Sequence, residues 1–139
     1  MDKRFWISGV VMTIATMLLG FLVHGLMLAD DYNTLVGKVM RPQEEASGMM
    51  QWMLLADACI GFAMTWIYRQ GIAARPTMAQ GIRFGIAVAV LTVVPQFLIH
   101  WVVTAIPAAI VAKQVAFDSV RMVLLGVLVA HLNPPRAGT

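Results

Sequence analysis

Among the ionisable side chains inside otherwise apolar stretches of this sequence, five invite a chemical reading: His24, Asp57, His100, Asp118 and Arg121. Several chemistries fit them. Two imidazoles at similar depth on different helices, His24 and His100, match the axial ligands of a haem b. The same histidines with Asp57 or Asp118 as a carboxylate match a metal ion. Carboxylates and histidines strung along a helix bundle match proton or ion movement. A fourth reading is structural: Asp118 and Arg121 pair three residues apart on one helix, and the histidines bond to Asp57, Gln51 or Gln96 across neighbouring helices. The sequence holds no CxxCH, no HExxH and no glutamate inside an apolar stretch, and no nucleophile stands with a base and an orienting partner. A non-enzymatic protein with no predicted cofactor is therefore expected, with haem or a metal ion as alternatives.

These residues must be held by helices in lipid. The chain has 139 residues, of which 60% are hydrophobic and 12% charged, and its mean hydropathy is +0.78. Soluble domains average about 45–50% apolar and about 25% charged residues. A chain this size has no means of hiding the excess from water, and disorder is excluded by the same figures. The net charge of +3 comes from basic residues scattered singly or in pairs. They form no basic face, so no nucleic-acid partner is expected. The single cysteine, Cys59, excludes an intramolecular disulfide and reads as a small buried apolar side chain.

A bilayer core takes about 20 apolar residues per helix, and four stretches qualify, at about 5–28, 49–68, 84–103 and 107–132. They leave an outer loop of about 29–48 and an inner loop of about 69–83, with Gly71 and Pro76 as breakers, and no room for a separate soluble domain within 1–139. The first stretch is too long for a secretory signal and reads as a retained span. Lys3, Arg4, Arg69, Arg75, Arg83 and Arg136 fall on one side, opposed by Asp2. Asp30, Asp31, Glu44 and Glu45 fall on the other, with Lys38, Arg41 and nearby Lys113. The basic side is cytoplasmic, so both termini are inside. Trp6, Trp66 and Tyr68 at the inner ends, and Tyr32, Trp52 and Trp101 at the outer ends, agree with that placement. The expected fold is an all-α, integral-membrane antiparallel four-helix bundle.

In lipid, helices meet through small and polar residues. Gly9, Thr13, Thr16, Gly20 and His24 form such a stripe in the first span, and Gly85, Ala89, Thr92, Gln96 and His100 form one of the same spacing in the third. The match suggests two similar hairpins related by duplication, or convergent selection for close packing. Asp57, Gly61, Thr65 and Tyr68 share a face of the second span. The fourth span carries Gln114, Asp118 and Arg121 on one face and Ser119, Gly126 and Ala130 on another. Pro95 predicts a kink near Gln96. A rise of about 1.5 Å per residue puts His24 and His100 about 6–8 Å below the outer boundary and Asp57 about 12 Å down. The five ionisable residues are thus expected to line a polar pocket near the outer side. His131 reads as an interface residue near the inner end.

Met50, Trp52 and Met53, at the outer end of the second span, suit docking of another membrane subunit. With Met49 they also raise a copper reading beside His24. The layout, with His24-Gly25 near the end of span one, Trp66-Ile67-Tyr68 ending span two and Gly81-Ile82-Arg83-Phe84-Gly85 opening span three, resembles small four-helix bacterial inner-membrane proteins of unknown function. That resemblance implies a bacterial inner-membrane location and no catalytic residue. The expected partners are the bilayer and other membrane subunits or further copies of the chain. The expected role is that of an accessory or assembly subunit. The alternative is a binding protein or small carrier whose outer-half pocket takes haem, a metal ion or a small polar ligand.

Overall fold

A computed structural model of the chain describes residues 2–72 and 78–134. Arg75, Arg136, the breaker Pro76 and the tail from Pro135 lie outside the described residues. Within them the fold is helical, with no strand. Helix α1 (Lys3–Gly20) runs on through a π-helical segment, Phe21–Met27. Two short helices follow, α2 (Ala29–Asn33) and α3 (Gln43–Ser47), then α4 (Met50–Gln70). Helix α5 (Met78–Val88) passes through a second π-turn, Ala89–Val93, into α6 (Val94–Val103), and α7 (Ala108–Leu132) ends the helical part. Four stretches are long and apolar enough to cross a membrane: Lys3–Met27, Met50–Gln70, Met78–Val103 and Ala108–Leu132.

The third of these starts six residues before the sequence reading puts it, at Met78 rather than 84. Arg83 had marked the boundary, but a long arginine on the exposed side of a helix can extend its guanidinium toward the headgroups while its stem stays in lipid. Gln80 also steadies this start, donating from Nε2 to the carbonyl of Gly71 across the connection (2.8 Å).

Two close helix pairs organise the molecule, α1 with α4 and α5 with α7, joined mainly through α1 and α7. Glycine makes both pairs possible. The backbone of Gly61 lies against Thr13, and Phe62 covers Gly9. Gly81 and Gly85 meet Gly126, Val127, Met122 and Val123 backbone to backbone. A Cβ at Gly85 would sit 2.5 Å from the Cα of Val123, closer than any side chain tolerates. Met12, Met64, Tyr68, Ala89, Val93, Met122, Leu125 and Val129 fill the space between the pairs.

The connection between α1 and α4 is anchored rather than loose. Leu35 is buried against Ile106, Ile110 and Val111 at the start of α7, and Lys113 holds Asp31 at 2.8 Å. Gly37 has φ +73°, the left-handed conformation that lets the chain turn back beyond Leu35. At the opposite end Asp2 caps α1, accepting from the Phe5 amide (3.0 Å), and pairs with Arg69 at 2.8 Å. There Asn133 donates to Ser8 (2.8 Å), whose hydroxyl is 3.4 Å from that of Thr65. This polar knot ties α1, α4 and the end of α7.

Pro95 acts one turn earlier than the sequence suggests. Proline lacks an N–H and its ring presses on the carbonyl four residues back, here Leu91. The strain is relieved at Ala89–Val93, where the Val94 N–H bonds to Ala89, five residues back. Cys59 is exposed, not buried as its small apolar character suggested, because α4 turns that side away from α1 and α7.

Candidate functional site

Helix α7 supplies one wall of the polar cluster. Gln114, Asp118 and Arg121 recur at spacings of four and three and so share a face. That face meets α1 at the turn where the helix widens. The Leu28 N–H bonds to Val23 (2.9 Å) rather than to residue 24, and His24 lies inside this widened segment. Such π-segments often carry functional residues because they re-aim a side chain that a regular helix would misplace.

Asp118 is the hub. One carboxylate oxygen lies 3.0 Å from Nε2 of His24 and the other accepts from Nη1 of Arg121 at 3.1 Å. Nη2 of Arg121 reaches Asp57 on α4 at 3.4 Å and the Thr16 carbonyl of α1 at 2.9 Å. Gly20 leaves room for this guanidinium; a Cβ there would sit 3.0 Å from Nη2. On the far side of His24, Nδ1 is 2.6 Å from the Tyr32 hydroxyl, which also accepts from Gln114 Nε2 (3.0 Å). The two rings stack with centroids 5.8 Å apart. An unbroken polar chain therefore runs Gln114, Tyr32, His24, Asp118, Arg121, Asp57 and ties together α1, α2, α4 and α7.

Burial raises the Tyr32 phenol above its ordinary value; the Gln114 hydrogen bond works against that, and the charges of Asp118 and Asp31 add to it.

Four of the five residues singled out in the sequence thus come together: His24, Asp57, Asp118 and Arg121. His100 does not join them. It is exposed on α6, as are Gln96 and Thr92 on the same side, and neither its ring nor the Gln96 amide bonds to any described residue. The stripe of the third span is cut by the π-turn. An extra residue in the hydrogen-bond ladder rotates everything beyond it by roughly one residue, about 100°. The inner face instead reads Gly81, Gly85, Ala89 and Val93, all buried, then Phe97 packed against both apolar clusters. Steps of exactly four drift by about 40° each in a regular α-helix; the widened turn takes up that drift.

His24 and His100 are not brought together among the described residues: both nitrogens of His24 face oxygen atoms, and His100 is exposed on α6. Among the described residues no three His, Cys, Asp or Glu side chains converge as a metal site. Met50, Trp52 and Met53 are exposed in the first turns of α4, and His131 is exposed near the end of α7. Sequence reasoning missed Tyr32 as a site residue, placing it only as an interface aromatic. It also missed the Thr16 carbonyl. Gln114 was legible as the neighbour of Asp118 on one helix face, but nothing in the sequence sets the path that brings Tyr32 back onto His24. Comparison with protein families, with curated proteins and with solved structures gives no match to this chain.

Proposed function

We propose that the protein is a non-enzymatic accessory or assembly subunit of a bacterial inner membrane, working by lateral association with other membrane helices. Its four spans form an antiparallel bundle with both termini cytoplasmic. Two sets of contacts support the antiparallel reading. Gly81 meets residues 126–130 while Gly85 meets 122 and 123, and Gly61 meets Thr13 while Gly9 meets Phe62, so numbers rise on one helix as they fall on its neighbour. The basic inner side and acidic outer side support the orientation.

One observation carries the functional reading: the exposed face of the third span presents Gln96 and His100 with no side-chain partner among the described residues. The span has 26 residues, about 39 Å of helix against a hydrocarbon core of about 30 Å. Gln96 lies seven residues from its end, about 10 Å along the helix, so with the excess length shared between the two ends it stands about 6 Å inside the hydrocarbon, where lipid offers nothing to bond. An amide facing hydrocarbon costs on the order of several kcal/mol unless another helix satisfies it. A polar pair one turn apart on an exposed helix face is thus matched to a neighbouring helix. Met50, Trp52 and Met53 offer a second surface, though lipid headgroups suit them equally well.

The test is mild-detergent extraction of the full-length tagged protein, with photo-crosslinking from a residue beside Gln96. A stoichiometric membrane partner, or a second copy, is expected in the crosslinked product, and Gln96→Leu with His100→Leu should abolish it. A monodisperse monomer that crosslinks only to lipid would overturn the reading. A coloured or metal-bearing preparation would favour the alternative of an outer-half ligand pocket.

A further inference from the structure

The polar chain through His24 does not balance its own charge. Asp57 and Asp118 contribute two negative charges and Arg121 one positive, so with a neutral imidazole the group is left one negative charge in excess. Its charged neighbours do not correct this. Lys113, one turn away on α7, is held by Asp31 of α2 (2.8 Å), and Tyr32 and Gln114 are uncharged. The excess sits where charge is expensive: the side chains of Asp118, Arg121 and Asp57 are 4%, 10% and 14% exposed. A charge left unpaired in a buried ion set is costly, and the incentive to neutralise it is correspondingly large.

We propose that this cluster is a binding site for a single proton, taken up by His24. The imidazolium brings the group to neutrality, and His24 is the member built to receive the proton. Its side chain is 32% exposed, the most open of the four. Each ring nitrogen already faces an oxygen, Nε2 toward Asp118 at 3.0 Å and Nδ1 toward Tyr32 at 2.6 Å, so a doubly protonated ring donates on both sides. A metal cation fits less well: Arg121 already lies between the two carboxylates, and His24 covers the remaining oxygen of Asp118. A proton needs no added space.

Gln114 supplies the matching device. It is buried, and its Oε1 has no hydrogen-bond partner. With His24 neutral and carrying its hydrogen on Nε2, Gln114 Nε2–H donates to Tyr32, and the Tyr32 hydroxyl donates to Nδ1. With His24 protonated, Nδ1–H donates to Tyr32, whose hydroxyl hydrogen must find another acceptor. Rotation of the Gln114 amide brings Oε1 to it. Proton uptake thus reverses the direction of donation from Gln114 to His24 without breaking the link between α2 and α7. One proton is gained, no other covalent bond is made or broken, and the hydrogen bonds along the chain only exchange donor and acceptor.

The test is nitrogen NMR of the histidine side chains in the full-length protein in detergent micelles, titrated with acid and base. His24→Gln identifies the His24 signals. Asp57→Asn, which preserves shape and does not touch His24, removes the excess charge and should weaken proton binding at His24 about tenfold or more. Arg121→Gln adds to the excess and should strengthen it. A merely structural role moves neither in this signed way. An unchanged His24 titration in Asp57→Asn would overturn the proposal. The Asp57→Asn arm decides even where Arg121→Gln fails to fold. The outcome does not depend on a lateral partner, since the measurement is made on the isolated chain.

Discussion

The first and third membrane-length helices carry stripes of the same spacing, each closing on a histidine, and each contains a π-turn. Their histidines end in opposite surroundings. His24 stacks on Tyr32 and faces Asp118 at 3.0 Å, whereas His100 is exposed and bonds to no described side chain. The difference lies in where the widened turn falls. In the first helix it follows Gly20, so Gly9, Thr16 and Gly20 are already committed to α4 and α7, and the turn only aims His24. In the third it falls at Ala89–Val93, in the middle of the stripe, and sends Thr92, Gln96 and His100 outward. A one-residue irregularity thus converts a packing stripe into an outer face.

The contrast is broken most severely at its centre. Arg121→Met leaves two carboxylates facing each other without a cation and is expected to cost about 3–5 kcal/mol. Reversible unfolding in mixed micelles followed by circular dichroism would measure it; a change below about 1 kcal/mol would mean the ion set contributes little to holding α1, α4 and α7 together. His24→Leu strands Asp118 Oδ2 and leaves the Tyr32 hydroxyl with Gln114 alone, and should cost about 2–3 kcal/mol, while His100→Leu should stay within about 0.5 kcal/mol in the isolated chain. Equal losses would remove the asymmetry between the two helices.

Upstream of the second π-turn, Gly85→Ala forces a methyl into the backbone of α7 and should cost about 1–3 kcal/mol, whereas Gln96→Ala beyond the turn should be nearly silent in the same unfolding assay. The smallest effect concerns Tyr32. Because burial raises its phenol, the folded protein holds that proton more tightly than the unfolded chain does. The resulting stability is present below the ordinary tyrosine range, about pH 10, and is lost as pH rises through the raised folded value. Alkaline unfolding curves of wild type and Tyr32→Phe should therefore diverge in slope above about pH 10, with the variant the flatter.

Much of this was legible beforehand, for reasons that differ by feature. Four stretches of membrane length follow from hydropathy and helix rise alone, and the face made by Asp118 and Arg121 follows from the helical period. The third membrane-length helix begins at Met78, six residues before the stretch that Arg83 bounds in the sequence. His100 was grouped with His24 because spacings of four and three assume an unbroken α-helix, and neither Pro95 nor the run Ala89–Val93 states where the ladder will widen. Pro95 announced an irregularity, but the clash it creates lies with the carbonyl four residues earlier. Tyr32 was beyond reach for another reason. Its place depends on Leu35 docking against Ile106, Ile110 and Val111, a contact between segments about 70 residues apart that no local pattern encodes.

The ion pair inside α7 bears on how the chain is made. Asp57 lies 64 residues before Arg121, so during synthesis its helix is complete long before the guanidinium exists. Asp118 and Arg121, by contrast, stand on the same helix at i and i+3, 3.1 Å apart. The last helix therefore brings its acid and base into the bilayer together, as a charge-neutral unit. Once there, it still has one arm of the arginine left to give to the carboxylate that has been waiting for it.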